Sequence, residues 1–185
     1  MFKLLDLKFL VSKKRELKSE ETFSDSIHIA INSTYGEIIE ALIILSLRIV
    51  RIKYGEKSNE IYKWDNDLKE KYTELLEKNV HEAYTFLGYY ANWLRYFNNE
   101  WYKKQLKKLK LEHPCWIEFV EGYLHVSAFS NETYKSMKEH YKKAIDIDFN
   151  NERTKESLTT HITIGYLRGL ETLNETNSLF IKLIE

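Results

Sequence analysis

A single proline, Pro114, and six glycines are the only strong helix breakers in this chain of 185 residues. Between them, apolar residues return at i, i+3 and i+4, the spacing that lines one face of a helix. The expected fold is therefore all-α, with consecutive helices joined by loops of about two to six residues and so packed as antiparallel neighbours. Seven or so such helices in a row suggest an α-solenoid or an irregular helical bundle. A domain of this size can bury enough surface to need no metal or disulfide staple. The one cysteine, Cys115, excludes an internal disulfide framework and fits a reducing, cytoplasmic compartment.

The segmentation follows from caps and breakers. Residues 1–26 form a poorly defined N-terminal segment, in which Leu4, Leu5, Leu7, Phe9 and Leu10 follow neither a helical nor a strand period. A single helical domain is expected over 27–185. Ile27, Ile29 and Ile31 alternate too briefly to promise a sheet. Thr34 and Glu37 have capping-box spacing and open a helix to Tyr54, where Gly55 can end it. Ile38, Leu42, Leu45 and Ile49 mark its face, and Ile39, Ile43 and Val50 widen that face so far that neighbours should cover most of the helix.

Further helices are expected over 66–78 (Leu68, Tyr72, Leu75, Leu76 inward) and over 80–97, with Asn98 and Asn99 as a break. A short helix over 101–110 follows, then one begun by His113 and Pro114 that carries Phe119, Tyr123 and Val126. Ser130 or Asn131 should cap a helix with Tyr134, Met137, Tyr141, Ala144 and Ile145 inward. Another is expected over 152–173, and a last apolar turn over 179–184. Gly165 and Gly169, one turn apart, should admit a closely packed neighbour. The stretch Tyr141 to Asp148 looks like the second helix of a tetratricopeptide unit, although His125 and Met137 stand where that unit prefers small residues.

Charge and motifs exclude more than they suggest. Basic and acidic side chains balance at 28 each, so no global field draws the chain to nucleic acid or anionic lipid. The most apolar stretch, 38–52, contains Glu40, Arg48 and Arg51 and is shorter than the ~20 residues of a membrane span. No phosphate loop and no His-Glu-x-x-His motif is present, so neither cofactor nor metal is expected. Glu121 and His125 share a helix face without an evident third ligand. Cys115 has His113 close in sequence, but Pro114 and Trp116 beside it favour a buried helix start over a nucleophile. Arg153 and His161 stand too far apart for the arginine-to-histidine spacing of helical RNases. No catalytic set emerges, and the chain is read as a non-enzyme.

One local patch carries a functional alternative. Tyr102, Leu106 and Leu109 align on one face of a short helix, while Lys103, Lys104, Lys107, Lys108 and Lys110 fill the other. With Trp93, Tyr96 and Trp101 nearby, that face could contact phosphates and stacked bases. The simpler reading is a solvated lysine face over a core of aromatics, and nucleic acid is not the expected partner.

The run Asn32 to Leu42, opening a long apolar helix, resembles a stretch in the C-terminal helical regions of large bacterial antiphage proteins of the sirtuin and STAND type. The later spacing is similar too: Leu87-Gly88 through Trp93-Leu94, then Trp101, Trp116, Gly122-Tyr123-Leu124, Tyr141 and Ala144. The resemblance covers about residues 27–185 and rests on packing positions. It implies a helical-repeat sensor or scaffold that recognises a protein of the invader and releases an N-terminal effector. Tyr35 departs from an expected proline, and the effector and NTPase modules are missing, so a fragment of a larger protein is one expectation. A small immunity or antitoxin protein is the alternative. No individual recognition residue carries over.

Overall fold

The computed structural model describes residues 25–54, 64–126, 129–173 and 178–185. Every element among them is an α-helix: α1 Ser26–Ile31, α2 Thr34–Tyr54, α3 Asn66–Glu77, α4 His81–Tyr89, α5 Ala91–Lys108, α6 Trp116–His125, α7 Asn131–Ala144, α8 Glu152–Leu167 and α9 Leu179–Ile184. The all-α expectation holds, and no described helix is long and apolar enough to cross a membrane. Nearly all of the N-terminal segment read as undefined, and the proposed stop at Gly55, lie outside the described residues.

At the centre, α4 and α6 lie side by side and run parallel. His81 meets Glu118 at their starts, and Tyr89 meets His125 at their ends with ring centroids 5.7 Å apart. Two glycines make that contact possible. A Cβ on Gly88 would stand 2.2 Å from the Phe119 carbonyl oxygen, and one on Gly122 would stand 2.0 Å from that of Thr85. Backbone thus rests on backbone, as only small residues allow. Around this pair Phe86, Leu87, Phe119 and Leu124 are fully enclosed in one continuous core. By contrast, α7 and α8 are antiparallel: the Tyr141 hydroxyl near the end of α7 lies 2.9 Å from His161 Nδ1, while Tyr134 near its start packs over Gly165, further along α8.

Helix starts follow side-chain caps. Asp65, Ser130, Asn151 and Ser178 accept from backbone amides of the first turns of α3, α7, α8 and α9. At α2 the cap falls one residue before the expected Thr34, because Ser33 Oγ accepts from the Gly36 amide at 2.8 Å. The segment with alternating isoleucines is α1, whose 3.6-residue turn buries Ile27 and Ala30 and leaves Ile31 outside. The expected single helix over 80–97 is divided at Tyr90, and the break at Asn98 is real. Asn98 leaves helical geometry (φ −162°, ψ 93°), and its Oδ1 accepts from the Trp101 amide, restarting the helix.

Two expectations about faces are corrected. Of the expected α2 face, Leu42, Ile39, Ile43 and Val50 are buried as expected, but the stripe is rotated so that Ser46 and Leu47 complete it, Ile38 and Ile49 are half-buried and Leu45 is exposed. The rotation has a polar cause: Trp64 donates its indole N–H to Ser46 Oγ at 2.8 Å, which seats Ser46 inward. The most enclosed elements are α4 and α6 rather than α2. The second correction concerns the glycine pair of α8. Gly165 lies against the Tyr134 ring as expected, but Gly169 has φ +68° with nothing near its missing side chain. It ends α8, so the helix stops at Leu167 and does not reach 173.

Candidate functional site

Lys103, Lys104, Lys107 and Lys108 of α5 and Lys110, two residues past its end, all face solvent, as their spacing indicates, while Tyr102, Gln105 and the C-cap Leu109 turn inward and Leu106 is half-buried. This face is not purely cationic. Lys103 lies 3.3 Å from Glu100, and Lys108 lies 3.6 Å from Glu77 on α3. Trp101 is no stacking platform either, since its ring meets Trp64 edge-on at 4.8 Å and its N–H donates to Thr73 Oγ1 at 3.0 Å. Of the three aromatics near the lysine face, Trp101 is thus committed to the core, whereas Trp93 and Tyr96 stay partly exposed.

The two titratable pairs singled out from sequence are separated by their hydrogen bonds. Glu121 turns away from His125 and accepts from both the backbone amide and the hydroxyl of Ser26, capping the N-terminus of α1. Burial raises its carboxyl above the usual range, against the lowering effect of the Ser26 bonds. His125 instead lies tilted beside the Tyr89 ring, and burial holds its imidazole below the ordinary value, with Arg153 adding to the effect. Cys115 is fully enclosed. Its thiol donates to the Asn79 carbonyl at 3.5 Å, and burial, with Glu118 nearby, pushes it up to about 12. His113 Nδ1 accepts from the Cys115 amide and Nε2 faces the Tyr84 hydroxyl at 3.1 Å, so the ring does not serve the sulfur as a base. A thiol in this state is a poor nucleophile.

A groove that the sequence did not single out lies where α2 passes α5. It encloses about 420 Å³ and is lined by Leu47, Arg51, Asn92, Trp93 and Tyr96. Trp93 and Tyr96 are each 37% exposed, and Ile44, one turn before Leu47 on α2, is exposed as well. The wall is rigid. Trp93 stacks on Tyr90 at 5.0 Å, and the Tyr90 hydroxyl donates to Glu40 on α2, which ties the two sides of the groove together. A signal for it was present in the excess apolar circumference of α2. That excess was expected to be covered by neighbours, yet Ile44, Leu45 and Ile52 are exposed.

The described residues thus define an all-α protein with a solvent-facing groove between α2 and α5. No protein-family model, curated protein or solved structure matches the chain.

Proposed function

We propose that this chain is a non-enzymatic helical-repeat interaction module whose α2–α5 groove receives a segment of a partner protein. The observation that carries this reading is the preset pair Trp93 and Tyr96 beside Arg51 in a groove that still faces solvent. Tryptophan, tyrosine and arginine supply much of the binding energy at protein interfaces, because they desolvate large areas at low conformational cost. The matching ligand is a segment with an apolar side chain for the Leu47 floor and a carboxylate for Arg51. The repeat element of the reading draws on the starts of α4, α6 and α8 at His81, Trp116 and Glu152. These fall about 35 residues apart, close to a tetratricopeptide period. In the antiphage setting that the resemblance implies, the partner is an invader's protein and the module acts as sensor or scaffold in the bacterial cytoplasm.

Affinity capture from phage-infected and uninfected cells, followed by titration of the purified partner, tests the reading. Trp93→Ala should weaken binding at least about 30-fold, the scale of an interface hot spot, while Lys104→Gln should not change it. Equal affinity of the Trp93→Ala variant would remove the groove from the function. Salt-dependent capture of nucleic acid, lost with the lysine face, would replace it.

A further inference from the structure

Beside the N-termini of α4 and α6, three side chains of metal-binding type converge: His81 Nδ1, Cys115 Sγ and Glu118 Oε1, all within 4.8 Å of one another. We propose that they form a site for one divalent transition-metal ion of the zinc class. This inference is independent of the groove reading and departs from the metal-free expectation drawn from sequence. His81 and Glu118 are 37 residues apart in the chain, so no local spacing announces them. The parallel pairing of α4 with α6 brings them together.

The donor set decides the class of ion. Thiolate and imidazole select zinc-like metals over magnesium and calcium, which require oxygen ligands. One thiolate, one carboxylate and a neutral imidazole balance the charge of a divalent ion, so the complex is neutral where it borders the core. Both helix N-termini favour the anionic forms of the ligands, which offsets their own repulsion of a cation. Tetrahedral zinc with a sulfur and a nitrogen ligand holds those atoms about 3.6 Å apart. The longest separation in the trio therefore needs to close by about 1 Å, while His81 Nδ1 and Glu118 Oε1, now in hydrogen-bond contact, must part; His81 can adjust because its side chain is 64% exposed. Glu118 Oε2 supports the assignment: it is a buried acceptor without a hydrogen-bond partner, which an ion beside Oε1 would compensate.

Binding balances as follows. The Cys115 proton passes to solvent, the Cys115–Asn79 and His81–Glu118 hydrogen bonds open, and metal bonds form to Sγ, Nδ1 and Oε1. His81 gives up through solvent the Nδ1 proton that it donates to Glu118 and binds as the neutral tautomer, with its proton on Nε2. With three protein ligands, the fourth position takes water from the exposed His81 side.

The test uses the full chain, reduced and stripped of metal, titrated with Co²⁺ and competed with Zn²⁺. One Co²⁺ per chain should give tetrahedral d–d bands together with a sulfur-to-cobalt charge-transfer band, and Zn²⁺ should displace both. At a hundredfold excess over Kd, Zn²⁺ should raise Tm by about 5 °C or more. His81→Ala alters an exposed side chain and leaves folding intact, so it should weaken binding more than about tenfold without changing the Tm of the metal-free chain. Cys115→Ser should abolish the charge-transfer band. Absence of saturable Co²⁺ binding, or equal affinity in the His81→Ala variant, overturns the site.

Discussion

Replacing Gly122 by alanine tests how the central helix pair is held together. The new Cβ would lie 2.0 Å from the Thr85 carbonyl oxygen and 2.9 Å from its carbon, whereas ordinary contact begins near 3.4 Å. The obstacle is backbone on a neighbouring helix, so no side chain can rotate away. Relief requires α4 and α6 to part by about 1 Å, which loosens Phe86, Leu87, Phe119 and Leu124 at once and forfeits part of their dispersion contacts. Overpacking typically costs about 1–3 kcal/mol, and a rigid obstacle places this site at the upper end. Alanine's helix propensity returns about 1 kcal/mol. The net loss should be about 2 kcal/mol or more, a Tm decrease of about 4–8 °C for a chain of this length. Urea unfolding followed by tryptophan fluorescence measures it, with an unchanged m-value as the sign that the native state is intact. A variant as stable as the parent, or about 1 kcal/mol more stable as propensity alone predicts, would refute the backbone-contact account.

Gly169→Ala should cost about 1 kcal/mol for a different reason, since its left-handed φ of +68° strains any Cβ although the space is open; an unchanged Tm would count against that helix end. His140 accepts the Trp116 indole N–H at 3.0 Å, and burial, the largest influence, holds its imidazole below the ordinary value. A depressed imidazole contributes stability that is present above the unfolded value near 6.5 and is lost as pH falls through the folded value. Urea midpoints should therefore fall on acidification below about pH 6.5, and less steeply in His140→Gln, which keeps an acceptor for Trp116; identical pH profiles would sink the assignment. Glu121 has the opposite sign: its raised carboxyl contributes stability that is lost as pH rises through the folded value. Glu121→Gln, which retains an acceptor for Ser26, should thus be neutral or stabilising at pH 7, and a marked loss of Tm would contradict this. Changing Lys103, Lys104 and Lys107 together to Gln should alter stability by no more than about 0.5 kcal/mol, because all three face solvent. A drop in nucleic-acid affinity and salt slope in that variant would restore the nucleic-acid alternative.

What the sequence determined by itself is local. The inward set Leu68, Tyr72, Leu75 and Leu76 of α3, the Ser130 cap, the break at Asn98 and the outward lysines of α5 all follow from interactions within one or two turns. Periodicity and capping chemistry express such interactions directly in residue order. The division at Tyr90 left no comparable mark, since that residue turns to reach Glu40 of α2. The rotation of α2 depends on the Trp64–Ser46 hydrogen bond, which residue spacing does not specify. Gly88 and Gly122 stand out in sequence only as permissive residues. Their role as a backbone-to-backbone seam exists once α4 and α6 run parallel. The same pairing gathers His81, Cys115 and Glu118, and the crossing of α2 with α5 creates the groove around Trp93. Helix–helix register is set by how side-chain ridges and small-residue gaps far apart in the chain fit one another. That fit is a property of two surfaces together, so tertiary structure alone decided it.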